Sequence, residues 1–254
     1  MIIQIYEIQA PGEAEEMISL GVDHIGTVLT GKKDLEEPRL RETVALAAAK
    51  GAKSSLLPLT DDIDLISSAL EHLRPHIVHF CQGVFDSPGG WEQACGRMMS
   101  VQATVKERFP GIEVMRSIPV PPPGEAGHLP VIEAAFLFEP LTDYFLIDTL
   151  MMEGGSVADQ PETGYVGITG RTCDWQTAAE IVSQSSIPVI LAGGLSPDNV
   201  REAIHTVRPA GVDSCTLTNA TDETGAYVRF KKDPQKVAKF VEQTRMAGRE
   251  MGAS

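Results

Sequence analysis

The chain has 254 residues, of which 43% are hydrophobic and 22% charged, and this composition excludes a disordered or low-complexity protein. Its formal net charge of −14 excludes a general nucleic-acid binder, because an acidic surface repels phosphate backbones. No apolar run reaches about 18 residues, so no membrane span is predicted. The four cysteines are widely spaced and no signal peptide is recognisable, which favours reduced thiols in the cytoplasm.

Short β-branched runs alternate with helical patterns along the whole chain. Strands are predicted at residues 2–8, 24–29, 54–59, 77–82, 112–118, 144–149, 187–192 and 211–216. Helices are predicted at residues 12–20, 39–50, 64–73, 91–109, 129–138, 175–183, 198–206 and 233–245. This alternation implies parallel strands that are joined by right-handed crossovers.

Eight strand–helix units within 254 residues predict an α/β fold, a single-domain (β/α)₈ TIM barrel. We expect the barrel to span residues 1–247, with residues 248–254 as a C-terminal tail. An open doubly wound sheet is the alternative architecture. In such a barrel the functional site lies at the C-terminal ends of the strands. The long loops predicted there, at 119–128, 150–174 and 217–232, are typical of lids or binding loops.

Two glycines follow the seventh predicted strand and indicate a phosphate site. Gly193 and Gly194 let an anion approach the backbone, and the amides at the start of the next helix attract negative charge. Cys215 and Thr216 end the neighbouring eighth strand, and the loops after these two strands are the usual phosphate site of a barrel. The alternative is that the glycines only form a tight turn.

Candidate proton-transfer groups lie at the ends of the first and sixth strands. Asp148 interrupts an apolar run, and a buried carboxylate is costly unless it is hydrogen-bonded or used, so it is a candidate acid. A structural aspartate is the alternative. Either Tyr6 or Glu7 can exchange a proton, but neighbouring strand residues face opposite sides, so only one is expected to point into the barrel. Glu7 and Asp148 on opposite sides of one cavity would favour catalysis.

Two arginines are candidate ligands for a substrate anion. Arg116 interrupts the apolar fifth strand, and an arginine in a barrel often pairs with a carboxylate of the protein or the ligand. Arg39 belongs to a small basic cluster after the second strand, which either guides an anion or is ordinary surface charge. Metal-ligand spacing and nucleotide-binding glycine patterns are both absent from the sequence, so we predict neither a metal site nor a cofactor.

Several short motifs resemble phosphoribosylanthranilate isomerase, in order from the first strand to the last helix. They are GVDHIG at 21–26, LIDT at 146–149, GRTCDW at 170–175, LAGGLSPDNV at 191–200 and PAGVD at 209–213. The resemblance implies a (β/α)₈ barrel and an Amadori rearrangement, in which an aminoaldose phosphate becomes an aminoketose phosphate without a cofactor.

The resemblance also assigns roles to residues of this chain. The family's aspartate acid falls on Asp148, whereas its cysteine base falls on Tyr6 and the glycine after it falls on Glu7. Its phosphate glycines fall on Gly193 and Gly194. Its pair of serines on strand eight falls on Cys215 and Thr216. Its substrate-binding arginine, in the second loop, has Arg39 as the nearest candidate.

The sequence therefore predicts a divergent isomerase that acts on a phosphorylated sugar derivative, with Asp148 as acid and Glu7 or Tyr6 as base. The altered end of strand one also allows a lyase or epimerase on another phosphorylated substrate, or a binder that has lost catalysis. The expected partner is a phosphorylated small molecule, without nucleic acid or membrane, and the chain is expected to be a monomer or a homodimer.

Overall fold

Eight parallel strands close into a barrel in the computed structural model, which describes residues 1–125, 129–154 and 156–252. The barrel strands are β1 (Ile2–Ile5), β2 (His24–Leu29), β3 (Lys53–Pro58), β4 (Ile77–Phe80), β5 (Glu113–Val120), β6 (Tyr144–Thr149), β9 (Val189–Leu191) and β10 (Gly211–Ser214). Because β1 pairs with both β2 and β10, the sheet has no open edge. The predicted barrel is confirmed, and the doubly wound alternative is wrong.

Helices surround the barrel and connect its strands. They are α1 (Pro11–Ser19), α2 (Lys33–Glu36), α3 (Pro38–Ala49), α4 (Ile63–Leu73), α5 (Trp91–Arg108), α6 (Val131–Phe138), α7 (Trp175–Gln184), α8 (Val200–Val207) and α9 (Pro234–Gly252). Asp62 caps α4 by accepting from the amide of Asp64 at 2.9 Å, and Asp174 caps α7 by accepting from the amide of Thr177 at 2.8 Å. Within the described ranges, no helix combines the length and the apolar composition needed to cross a membrane.

The strand residues alternate between the barrel interior and the layer beneath the helices. Tyr6, Met115, Leu146 and Ile190 belong to one buried cluster that fills the interior. The residues between them pack outward with the helices in larger clusters. This alternation decides which side chain of each strand can reach a site at the barrel mouth.

Two small hairpins lie in the loops at the mouth of the barrel. The loop after β6 contains β7 (Met152–Glu153) paired with β8 (Ser156–Val157), and the loop after β10 contains β11 (Asn219–Thr221) paired with β12 (Tyr227–Lys232). The long loop predicted at 119–128 begins later, because β5 continues to Val120. Residues 126–128 of that prediction lie outside the described residues.

The last helix continues beyond the boundary predicted at residue 247. The Glu250 carboxylate accepts from Nη2 of Arg201 at 2.6 Å and lies 2.9 Å from Nε2 of His205, both on α8. Met251 packs against the outer core. These contacts stabilise the last turns, so residues 248–252 continue α9 instead of forming the predicted tail. Residues 253–254 lie outside the described residues.

Candidate active site

A cleft of about 550 Å³ lies at the C-terminal ends of the barrel strands. Its polar lining includes Glu7 from the end of β1 and Asp148 from β6. An apolar part of its wall comes from Val28 on β2, Leu57 on β3 and Leu59 just after β3. The two predicted proton-transfer groups therefore line one cavity, and their catalytic roles remain predictions.

Asp148 has the properties of a general acid. Its Oδ1 accepts a hydrogen bond from the amide of Thr149 at 2.7 Å. Burial raises the pKa of Asp148 to about 6, although the Thr149 hydrogen bond opposes that rise. A general acid works best when its pKa is near the working pH, because it is then partly protonated and still a strong enough acid to donate its proton.

A second carboxyl group, Asp213 on β10, lies beside Asp148 and was not singled out from the sequence. It faces the barrel interior, and its buried Oδ1 has no hydrogen-bond partner among the described residues. Burial raises the pKa of Asp213 to about 8, and the neighbouring Asp148 charge adds to the rise. Because like charges oppose joint ionisation, the pair retains a proton near neutral pH.

Glu7 is held in an unusual backbone conformation. Its φ is +61°, in the left-handed region, and β1 ends at Ile5 instead of the predicted residue 8. The chain therefore turns, and both Tyr6 and Glu7 line the cleft, so the expectation that only one of them reaches it is wrong. Glu7 is buried, and its Oε2 has no hydrogen-bond partner among the described residues.

Tyr6 is the less suitable proton acceptor of the two. Its hydroxyl lies 2.7 Å from Oγ of Ser55 and 2.7 Å from Nδ1 of His79. Burial raises the pKa of Tyr6 well above its ordinary value and lowers the pKa of His79 to about 3. Nε2 of His79 lies 2.8 Å from Oγ of Ser117, so the neutral ring bridges two hydroxyl groups. Tyr6 thus belongs to a satisfied polar network inside the barrel.

A smaller cavity of about 290 Å³ adjoins the cleft and contains the predicted phosphate residues. Its lining includes Gly193, Gly194, Cys215 and Thr216, which the fold brings together from the ends of β9 and β10. Asp148, Asp213 and Cys215 line both cavities. The phosphate prediction thus has a suitable location next to the carboxyl groups, and it remains a prediction.

The two glycines are also required by packing. Gly193 and Gly194 have φ values of +76° and +56°. A Cβ on Gly194 would lie 2.5 Å from the carbonyl carbon of Arg171, in the loop after β6. The close contact with Arg171 requires a glycine at position 194 whether or not a phosphate binds there. The tight-turn and phosphate interpretations are therefore compatible.

Gly194→Ala is expected to destabilise the protein by about 2 kcal/mol, because it combines a left-handed backbone with a backbone clash. Gly12→Ala is the matched control: Gly12 lies in α1, and a Cβ there meets no atom within 4 Å. The control should be neutral or stabilised by about 0.5–1 kcal/mol. Urea unfolding measures both changes, and equal effects in the two variants would contradict the packing argument.

Arg116 and Arg39 do not line the cleft or the smaller cavity. On β5, Met115 and Ser117 face the interior, so Arg116 points outward beneath the helices, where it is fully buried. Its Nη2 donates to the carbonyl of Gln82 at 2.6 Å, and its guanidinium lies 4.4 Å from the Phe138 ring centre. Arg39 begins α3 and lines a separate surface depression. This geometry does not support direct contact between the substrate and either arginine.

Three residues of the long loops contribute to the cleft and were missed. Tyr165 and Glu162, from the loop after β6, line it. Arg229, from β12, donates to Oε1 of Glu7 at 2.7 Å through Nε and to Oε1 of Glu162 at 2.6 Å through Nη1. These contacts join positions 67 and 222 residues apart in sequence, so no local pattern indicates them.

Known proteins match both the sequence and the fold. Residues 133–243 match the family model described as N-(5'-phosphoribosyl)anthranilate (PRA) isomerase. The enzyme of that name from Methanocella arvoryzae is 37% identical over 142 residues, which cover 56% of this chain and 55% of the relative. The one from Methanosarcina acetivorans is 28% identical over 96% of this chain and 92% of the relative.

A solved structure of similar fold covers nearly the whole chain. It is phosphoribosyl anthranilate isomerase from Thermotoga maritima, which matches with a TM-score of 0.67 and 20% identity over 97% of this chain and 100% of the other. That likeness concerns the fold alone, and the family model matches residues 133–243. The chain is therefore similar to N-(5'-phosphoribosyl)anthranilate isomerases in the sequence of its second half and in its fold over nearly the whole length.

Proposed function

We propose that this protein isomerises phosphoribosylanthranilate, or a closely related aminoaldose phosphate, to the aminoketose, with Asp148 as acid and Glu7 as base. The observation that carries the proposal is the presence of both carboxyl groups in one cleft, with the glycine-lined cavity beside it. In this proposal the phosphate binds at Gly193, Gly194, Cys215 and Thr216. The aromatic end of the substrate then lies in the cleft.

The proposed reaction needs two proton transfers by the protein at the sugar, before a final tautomerisation. Asp148 donates a proton to the ring oxygen, the bond between C1 and that oxygen breaks, and the nitrogen lone pair forms an iminium with C1. Glu7 then removes the proton from C2, and those electrons form a C1–C2 double bond while the nitrogen is neutralised. The resulting enol tautomerises to the ketone, and solvent exchange returns the proton from Glu7 to Asp148.

Cys81 and Cys215 line the cleft, and neither thiol is suited to replace the cysteine base that the resemblance implies. Burial raises the pKa of Cys81 to about 12. Burial also raises the pKa of Cys215 above its ordinary value, and the neighbouring Glu7 and Asp213 carboxylates add to the rise. A thiol that stays protonated accepts no proton at neutral pH. This supports Glu7 as the base.

A turnover assay tests the proposal directly. Freshly prepared phosphoribosylanthranilate is mixed with the wild-type protein, and the loss of its fluorescence is followed. We expect a steady, enzyme-dependent loss with kcat in the ordinary range of about 1–1,000 per second. No loss above the uncatalysed rate would reject this substrate, and a panel of aminoaldose and ketose phosphates would then be assayed.

Tyr6→Phe distinguishes the two candidate bases. The variant retains the ring that fills the barrel and removes the hydroxyl that contacts Ser55 and His79. We expect kcat to stay within about threefold of wild type, because Glu7 performs the proton transfer. Stability should fall by about 1 kcal/mol for the lost hydrogen bonds. A hundredfold loss of kcat in a folded variant would instead assign the base to Tyr6.

The setting of this activity is also a proposal. Cys81, Cys95, Cys173 and Cys215 are free thiols, which supports a reducing, cytoplasmic environment. The functional unit is either a monomer or a homodimer, and sedimentation at assay concentration distinguishes the two.

A further inference from the structure

A segment of the loop after β6 crosses the mouth of the barrel and covers the cleft. The amide of Gly83 donates to the carbonyl of Gly164 at 2.9 Å, and the amide of Val166 donates to the carbonyl of Cys81 at 2.8 Å. Tyr165, Val166 and the two residues after them line the cleft from above. We call residues 162–168 the cover segment. The middle of the cover segment is thus attached to the residues that follow β4.

The N-terminal end of the cover segment, at Glu162, is attached through Arg229. This arginine lies on β12, and the β11–β12 hairpin is fixed at its base, because the amide of Lys232 donates to Oε1 of Glu13 at 2.7 Å and Nζ of Lys232 donates to the carbonyl of Cys215 at 2.9 Å. Arg229 contacts Glu7 and Glu162 at 2.6 Å each. It therefore connects the hairpin, the candidate base and the cover segment.

The two ion pairs of Arg229 differ in their exposure to solvent. The Glu7 side chain is 2% exposed, whereas Glu162 is 33% exposed. A buried carboxylate that loses its cation is left uncompensated, which is costly, whereas an exposed pair opens at little cost. The Arg229–Glu162 pair is therefore the one that opens, while the Arg229–Glu7 pair persists.

We propose that Arg229 is a positioning residue for Glu7 and that its pair with Glu162 is a latch that closes the cover segment over the cleft. The positioning part rests on the function proposed above. Arg229 engages Oε1 of Glu7 and leaves the unpartnered Oε2 for the substrate. No lysine or arginine appears among the described residues that line the cleft, so Arg229 supplies the neutralising charge from the hairpin. Substrate enters when the latch opens.

Three variants separate the latch from the positioning role. Glu162→Gln weakens only the latch, Arg229→Met removes both contacts, and Arg229→Lys retains a charge for Glu7. Arg201→Met is the matched control, since it removes a similar exposed arginine–glutamate pair at 2.6 Å on α8, away from the site. Amide hydrogen exchange of residues 160–168 reports the latch, and kcat and KM for phosphoribosylanthranilate report the positioning.

We expect Glu162→Gln and Arg229→Met to raise exchange in the cover segment by about tenfold, with no change in Arg201→Met. Arg229→Met should lose about 100-fold in kcat with little change in KM, whereas kcat of the control Arg201→Met should equal that of the wild type. Arg229→Lys should recover kcat to within about tenfold of wild type. Unchanged exchange in both latch variants, or unchanged kcat in Arg229→Met, would overturn the proposal.

A further measurement does not depend on turnover. Arg229→Met leaves the buried Glu7 carboxylate unpaired, so Tm should fall by about 5 °C, and adding Glu7→Gln should restore most of it. Equal Tm losses in both backgrounds would contradict the contact with Glu7. If the wild-type protein leaves phosphoribosylanthranilate unchanged, the proposed function is rejected. The hydrogen-exchange and Tm measurements still test whether the latch exists and whether Arg229 is paired with Glu7.

Discussion

Asp148→Asn is expected to lower kcat for isomerisation by about 1,000-fold, with KM changed by less than about threefold. The amide has the same shape as the carboxyl group and retains an oxygen that can accept from the amide of Thr149. It cannot donate an acidic proton to the ring oxygen, so only the chemical step is affected. Steady-state kinetics with phosphoribosylanthranilate measure the loss.

The pH dependence provides an independent check on Asp148. An acid acts in its protonated form, so kcat should fall as pH rises through the pKa of about 6, with a tenfold loss per pH unit above it. The Asp148 charge raises the pKa of Asp213, so the two titrations are coupled and the measured midpoint belongs to the pair. Asp148→Asn should lose this descending limb, and a variant that keeps it would assign the acid to another group.

Asp198→Asn is the matched control for this variant. Asp198 is exposed and pairs with Lys239 of α9, outside both cavities. Its kcat and pH profile should equal those of the wild type. A similar loss in the control would mean that the assay reports general damage instead of the acid.

Glu7→Gln is expected to lower kcat by about 100-fold to 1,000-fold, the second largest effect. The glutamine retains the shape and an oxygen that can accept from Arg229, so the ion pair becomes a simple hydrogen bond. What the variant loses is the basic oxygen Oε2, which has no partner among the described residues. The proposed phosphate contacts involve other residues, so KM should change little.

Isotope and control measurements complete the test of Glu7. Substrate deuterated at C2 should show a larger kinetic isotope effect in Glu7→Gln, because removal of that proton becomes rate-limiting. Glu16→Gln is the control, since Glu16 is an exposed residue of α1. Wild-type kcat in Glu7→Gln would remove Glu7 from the mechanism and leave Asp213 as the nearest remaining carboxylate.

The fold was readable from the sequence because its signals are local. The bounds of β2 and β6 agree with the hydrophobic pattern, and the α4 and α5 bounds agree within one residue. A carboxylate that interrupts a buried strand predicts a functional role for Asp148. The same reasoning applies to Asp213 in the GVDS strand β10, which is buried and lacks a partner at Oδ1 among the described residues.

The rest of the site depends on contacts that no local pattern encodes. The left-handed backbone at Glu7 brings two successive side chains into one cleft, and glutamate carries no preference for that conformation. Arg116 was predicted from its residue type, but its place in the strand alternation turns it away from the cleft. Arg229 and Glu162 lie on long loops, whose paths are set by tertiary contacts.

The position of the apolar wall in the chain affects how the ligand specificity of the cleft can change. Val28, Leu57 and Leu59 come from the first half of the chain, whereas Asp148, Asp213 and the glycine-lined cavity come from the second half. Substitutions in the first half can therefore change the apolar wall while the two carboxyl groups and the glycine-lined cavity stay unchanged. A library confined to these three wall positions would vary the shape of the cleft without altering the residues of the proposed chemistry.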